Sequence, residues 1–250
     1  MKADVVICFY RSHILWPAVA RGLQLNQDYI GKVIISNDEE WAETCKEALT
    51  IPARKVGLTV PLEFVGHTRN GMQQAKCIND GVKVAISDFV LQIDDDIILA
   101  KDCVKTFLLL AETKVLLTGR LHDIARKPPI IEIFDNPPIL KEDTRIIDST
   151  QGWPLLFHVR DSFLFYAVKD YWEVEGHDES IHDGTEKGYG FIDYVFAMRW
   201  FSKFGLDSYE MTQAKAYHMS GLKPGSPFSL TNKARFEEKL AKFKESLNAT

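Results

Sequence analysis

Four runs of apolar residues, each of strand length, punctuate the N-terminal part of the chain. They are Val5-Val6-Ile7-Cys8-Phe9-Tyr10, Lys32-Val33-Ile34-Ile35-Ser36, Leu62-Glu63-Phe64-Val65 and Asp88 to Ile93. Runs in which apolar residues follow one another, rather than falling at alternate positions, predict strands buried on both faces. The intervening stretches near 14–26, 39–49 and 72–86 read as helices. In the last, Met72, Ala75, Ile78, Val82 and Ile86 recur at three- and four-residue steps, the stripe of a helix facing a core. Strands alternating with helices of this length predict βαβ units and a largely parallel sheet, an α/β fold.

Beyond residue 120 the pattern loosens. Residues 121–153 carry Pro128-Pro129, Pro137-Pro138 and many charges, and read as irregular connecting structure with one short strand. Ser162–Val168 is a predicted strand, Phe191–Phe204 a helix and Ala214–His218 extended. Phe236, Leu240, Phe243 and Leu247 form one stripe on a charged C-terminal helix over 231–248. With no repeat, low-complexity tract or linker in view, the expectation is a single domain over 1–250.

Composition narrows the class. Of 250 residues, 46% are apolar and 26% charged, ordinary values for a globular protein. The net charge of −5 disfavours a general nucleic-acid binder, although Arg120, Arg126, Lys127 and Arg145 could form a local basic rim. Cys8, Cys45, Cys77 and Cys103 form no C-x-x-C pair and sit in apolar or helical stretches, as reduced, packed thiols do. A first strand starting by Asp4 leaves no room for a signal peptide, and no apolar stretch reaches the roughly 20 residues needed to span a bilayer. The expected location is cytoplasmic.

The chemistry concentrates at strand ends, where ligands of parallel sheets bind. Asp94-Asp95-Asp96 follows directly on the fourth apolar run. Neighbouring carboxylates repel by roughly 3 kcal/mol per pair at an effective dielectric of about 20, so such a cluster is either well solvated or shares a cation. If the segment stays extended, alternation turns Asp94 and Asp96 to one side, a clamp for a hard divalent ion. The alternative is an acidic turn that starts a helix. Tyr10-Arg11-Ser12 and Asp38 fall at two other strand ends. Asp38, in Ser36-Asn37-Asp38-Glu39-Glu40, also suits a helix cap.

Taken in order, these segments resemble the GT-A fold glycosyltransferases, of the broad family-2 type. Asn79-Asp80-Gly81, Ala85 and Ser87-Asp88-Phe89-Val90-Leu91-Gln92-Ile93-Asp94-Asp95-Asp96 look like that family's helix–strand–DXD segment. Val174-Glu175-Gly176-His177-Asp178-Glu179 is similar to its V-G-G-F-D-E element, with two substitutions. Gly190-Phe191-Ile192-Asp193, with Arg199 further on, resembles its G-x-E-D…R element, and Ala216-Tyr217-His218 its late metal-ligand histidine.

The resemblance implies a GT-A domain with a nucleotide-sugar-binding half over 1–120 and an acceptor and catalytic half over 121–220. It implies transfer of a sugar from a nucleotide-sugar donor, UDP-linked, to an acceptor hydroxyl. Asp94, Asp96 and His218 would hold Mn2+ or Mg2+ against the diphosphate, with Asp95 near the ribose or supporting the loop. Tyr10, Arg11, Asp38, Arg69 and Lys76 would face the nucleotide. Asp193 would act as general base in an inverting reaction, and Trp153 and Arg199 would stand on the acceptor side. Ile192 replaces the family's usual glutamate, which puts the acceptor class in question. A glycan, a protein, a lipid-linked sugar or a hydroxylated nucleic-acid base could each accept. An N-cap aspartate is the structural alternative for Asp193, and loop 180–190 is expected to close over the donor. A nucleotidyltransferase, or a sugar-nucleotide-binding protein without turnover, are the competing functions.

Overall fold

The computed structural model describes residues 1–10, 13–37, 41–66, 73–124, 130–145, 159, 162–181, 191–219 and 230–248. The elements run β1 (Ala3–Cys8), α1 (Trp16–Gln24), β2 (Ile30–Asn37), α2 (Glu43–Lys55), β3 (Leu62–Gly66), α3 (Gln74–Lys83) and β4 (Phe89–Asp94). After these come β5 (Ile97–Leu99), α4 (Cys103–Leu109), β6 (Leu116–Ile124), α5 (Ile130–Asp135), β7 (Ile139–Lys141) and β8 (Phe163–Ala167). The chain continues with α6 (Val168–Glu173), α7 (Ile192–Phe204), β9 (Tyr209–Met219) and α8 (Leu230–Asn248).

The strands form one sheet in the order β3-β2-β1-β4-β8-β6-β9-β5, with β7 attached to β6. The expected parallel sheet is its first half: β3, β2, β1 and β4 are mutually parallel neighbours. Beyond β4 the sheet is mixed, because β8 pairs antiparallel with both β4 and β6, and β9 runs parallel to β6 but antiparallel to β5. Two residues separate β4 from β5, yet they stand four places apart in the sheet. The sheet therefore curls, and the acidic turn between β4 and β5 lies where its β5 edge comes back to the end of the interior strand β4.

The runs that form β1, β2 and β4 are buried on both faces, whereas residues 62–65 in the edge strand β3 are only half-buried and Tyr10, beyond the end of β1, is exposed. Val5 and Ile7 pack with Trp16, Leu23, Leu49 and Phe107 on one side. Val6 and Cys8 pack with Ile78, Val82, Tyr171 and Phe196 on the other. Each large side chain so buried contributes roughly 1.5–3 kcal/mol. Asp4, fully buried in β1, accepts hydrogen bonds from the backbone N–H groups of Lys32, Ile86 and Ser87 and from the Ser87 hydroxyl, at 2.7–3.2 Å. It thereby fixes the entry into β4. Asn26 donates to the carbonyls of Gly22 and Ala100 and accepts from Val104 N–H, tying α1 to the segment between β5 and α4.

Several expectations need correction. The third helix ends at Lys83, so Ile86 is outside it and 80% exposed rather than part of the core stripe. The second helix runs over 43–55, displaced toward the C-terminus from 39–49. The segment from Ile97 to Arg120, to which the pattern assigns nothing, holds β5, α4 and most of β6. Residues 121–124 continue β6, and 130–135 form a short helix; β7 is the one short strand expected in the irregular stretch. No disulfide links the four cysteines, and three of them are buried. Among the described residues no helix is long and apolar enough to cross a membrane.

Candidate active site

β4 ends at Asp94, and Asp95 and Asp96 form the turn into β5. The extended conformation needed for strand alternation thus stops at Asp94, and it is not alternation that organises the cluster. Asp95 is fully buried and its Oδ2 accepts the Tyr10 backbone N–H at 2.6 Å, which offsets part of its desolvation and pins the end of β1 to the turn. Asp96 is 6% exposed, and its backbone carbonyl accepts the Met219 N–H at 3.2 Å.

That backbone contact, together with the β5–β9 pairing of Ile97 with His218, carries the late histidine to the acidic turn. His218 Nε2 stands 3.8 Å from Asp96 Oδ2, beyond hydrogen-bond range. On the ring's other side Nδ1 lies 2.8 Å from Asp123 Oδ1. Asp123 comes from β6, where it is the register partner of His218 in the parallel β6–β9 ladder. No motif marks Asp123 in the sequence. Its signal, had the stretch been read as a strand, was the apolar run Leu116-Leu117 leading on to Leu121-His122-Asp123-Ile124.

The donor set suits a small dication in part. Two donors each about 2 Å from one ion stand about 3–4 Å apart, and 3.8 Å falls in that span. Carboxylate and imidazole together match Mn2+ chemistry. Among the described residues, however, no group of three or more His, Cys, Asp or Glu side chains is gathered to hold an ion unaided. Any ion here needs further oxygen ligands from outside this set.

Asp193 is the second residue of α7, and Phe191, at φ 70°, is the N-cap. The N-cap alternative for Asp193 therefore does not hold; its Oδ1 accepts the Tyr194 N–H at 3.0 Å instead. Its carboxylate acts electrostatically on His177, in the 174–179 element. That element is anchored through a buried chain. His177 Nδ1 lies 2.8 Å from the Tyr171 hydroxyl, which in turn bonds Asn79 Oδ1. Asn79 Nδ2 donates to the His177 carbonyl and to Glu179 Oε1. Asn79 Oδ1 can only accept, so the Tyr171 hydroxyl donates to it and His177 carries its hydrogen on Nδ1.

His177 stacks on Phe196 at 4.4 Å, and its pKa is pushed down to about 3. Burial is the main cause; the Arg199 charge adds to it, and Asp193 opposes both. A folded pKa below the unfolded value of about 6.5 stabilises the fold fully above that value. The contribution is lost as the pH falls toward 3, because the unfolded chain takes up a proton that the folded one refuses. We expect the free energy of urea unfolding to fall below about pH 6 by up to about 1.4 kcal/mol per pH unit on this account. The slope should flatten in His177→Gln, and an identical slope in both proteins would contradict the assignment.

Arg199 holds the same element rather than facing outward. Its guanidinium pairs with Asp178 at 3.0 Å and donates to the Gly176 and Glu175 carbonyls. Asp178 also meets Lys239 of α8 at 2.6 Å. Burial works to raise its pKa, but hydrogen bonds from Lys239 and Ser180 and the Arg199 charge outweigh it and hold the carboxyl at about 2. Lys76 pairs with Asp80 one turn along α3, which raises its pKa despite partial burial. Arg120 and Arg145 bond backbone carbonyls, and Arg145 also pairs with Asp143. Arg11, Asp38, Arg69, Trp153, Arg126 and Lys127 lie outside the described residues, as do Met72 and 182–190 of the expected loop.

No family model and no curated protein matches this chain. Solved structures do. TarS of S. aureus superposes with a TM-score of 0.63 at 15% identity, over 98% of this chain and 43% of that one. GalNAc-T7 with UDP, GalNAc and Mn2+ gives 0.62 at 12% identity, over 95% and 48%. Glucosyl-3-phosphoglycerate synthase from Mycobacterium tuberculosis, with Mn2+ and UDP-glucose, gives 0.54 at 12%, over 98% and 78%. This chain thus spans less than half of TarS and of GalNAc-T7. What it shares with all three is the GT-A-type fold.

Proposed function

We propose that this chain is a metal-dependent glycosyltransferase that moves a sugar from a UDP-linked donor to an acceptor hydroxyl with inversion. The observation that carries the reading is the convergence of Asp96 and His218, distant in sequence, at the curled end of a GT-A-type sheet. UDP and Mn2+ in structures of the same fold support a nucleoside diphosphate donor. In this reading Asp96 and His218 hold the cation and the donor's diphosphate supplies further oxygen ligands; the expected set of Asp94, Asp96 and His218 is not gathered as a group of three. When bound, it offsets the charge that grows on the diphosphate as the glycosidic bond breaks.

The chain's own residues do the rest. Asp95 holds the backbone of Tyr10 in place, so that the end of β1 forms a fixed edge for the nucleoside. Asp193 accepts the proton of the acceptor hydroxyl as that oxygen bonds the anomeric carbon and the donor's phosphate oxygen departs with the bonding pair. The 174–179 element, clamped by Asn79, Tyr171, Arg199 and Lys239, keeps its surroundings rigid. Four cysteines without a disulfide accord with the reducing cytoplasm.

The direct test is a panel of UDP-, GDP-, ADP- and CMP-sugars with Mn2+ or Mg2+, read by thermal shift and by donor hydrolysis. We expect one UDP-sugar to raise the melting temperature only with a dication present, and to be hydrolysed slowly without acceptor. No shift and no hydrolysis with any donor and either ion would overturn the reading.

A further inference from the structure

We infer that Asp123 is a positioning residue that sets the tautomer of His218 and presents its Nε2 lone pair to a divalent cation shared with Asp96; this rests on the metal reading above. A carboxylate can only accept, so the 2.8 Å contact places a hydrogen on Nδ1 of the ring. In the neutral imidazole that leaves Nε2 as an acceptor, and Nε2 is the atom facing Asp96 Oδ2 across 3.8 Å. A lone pair facing a carboxylate oxygen at this spacing is the arrangement in which both atoms can bind one cation. Asp96 is 6% exposed and the His218 side chain 32%, so the pair opens to solvent on the histidine side.

Nothing local in the chain arranges this. Asp123 meets His218 because β6 and β9 are parallel with these two residues in register. The same ladder continues to Ile124 and Met219, and Met219 is tied to the Asp96 carbonyl. One backbone register thus aligns orienting carboxylate, imidazole and acidic turn. A carboxylate behind a ligating histidine fixes the ring and raises its basicity, and losing such a partner typically weakens metal binding about 10–100-fold.

The test uses the full chain with UDP present. Mn2+ is titrated in, and aquated Mn2+ is followed by its paramagnetic resonance signal. The His218 tautomer is read separately from nitrogen–proton couplings of the imidazole by NMR without metal. Asp123→Ala should weaken Mn2+ binding about 10–100-fold and move the ring hydrogen from Nδ1 to Nε2. Asp123→Asn, which keeps an oxygen acceptor of the same size, should keep the Nδ1–H form and lose affinity only a few-fold. His218→Ala should lose at least as much as Asp123→Ala. Unchanged affinity or tautomer in Asp123→Ala, beside a clear loss in His218→Ala, would overturn the role of Asp123 and leave the metal reading standing. Absence of Mn2+ binding by the parent protein, or full affinity in His218→Ala, would remove the metal reading and this inference with it.

Discussion

Asp193→Asn is expected to lower sugar transfer by about a hundred- to ten-thousand-fold, the usual yield of a general base, while leaving UDP-sugar binding intact. The substitution keeps the size of the side chain and an oxygen that can still accept the Tyr194 N–H, so the start of α7 should be undisturbed. What an amide cannot do is take the acceptor's proton. Asp96→Asn should fail at an earlier step. With the Asp96 carboxylate charge removed, both Mn2+ affinity and the metal-dependent part of donor binding should fall. Measuring transfer, donor thermal shift and Mn2+ affinity in both variants separates the two roles. Transfer at the parental rate in Asp193→Asn would end its assignment as the base, whatever the Asp96 variant does.

A large effect on stability is expected at Gly176. Its φ is +60°, in the left-handed region, and an added Cβ would lie 2.7 Å from Asn79 Oδ1 and 2.8 Å from the Tyr171 ring. Both neighbours belong to the buried hydrogen-bond chain ending at His177, so neither can yield without breaking a bond. Left-handed strain of about 1–2 kcal/mol and overpacking of about 1–3 kcal/mol predict a loss of about 2–5 kcal/mol for Gly176→Ala. Gly57→Ala is the control. Its φ is +82°, but a Cβ there would meet nothing within 4 Å, so backbone strain alone is expected. Equal losses for the two variants in urea unfolding would show that the network gives way and is not a rigid anchor.

Much of this protein can be read locally. Val5 to Tyr10 and Asp88 to Ile93 announce doubly buried strands because apolar residues stand at successive rather than alternate positions, and such strands need helices on both faces. Adjacent acids at Asp94–Asp96 stand out because nothing but water, partners or a cation makes them tolerable. Where local reading erred, the cause is identifiable. Ile86 continues a helical stripe in spacing, but Asp4 captures the backbone N–H of that residue and of Ser87, ending the helix. β6 is obscured by its charged and polar residues, which are acceptable inside this sheet because the Asp143 backbone N–H and Glu142 partner His122 and because His218 partners Asp123.

The sequence by itself determined an α/β sheet with its acidic residues at a strand end and a histidine in reserve, since periodicity and charge are properties of neighbouring residues. Only the tertiary structure decided that His218 meets Asp96, that Asp123 stands behind it, and that His177 is held neutral. Those outcomes depend on the register of β6, β9 and β5 and on burial between α3, α6 and α7. Register between strands far apart in the chain is settled by how whole faces pack, and no short stretch of residues carries that information.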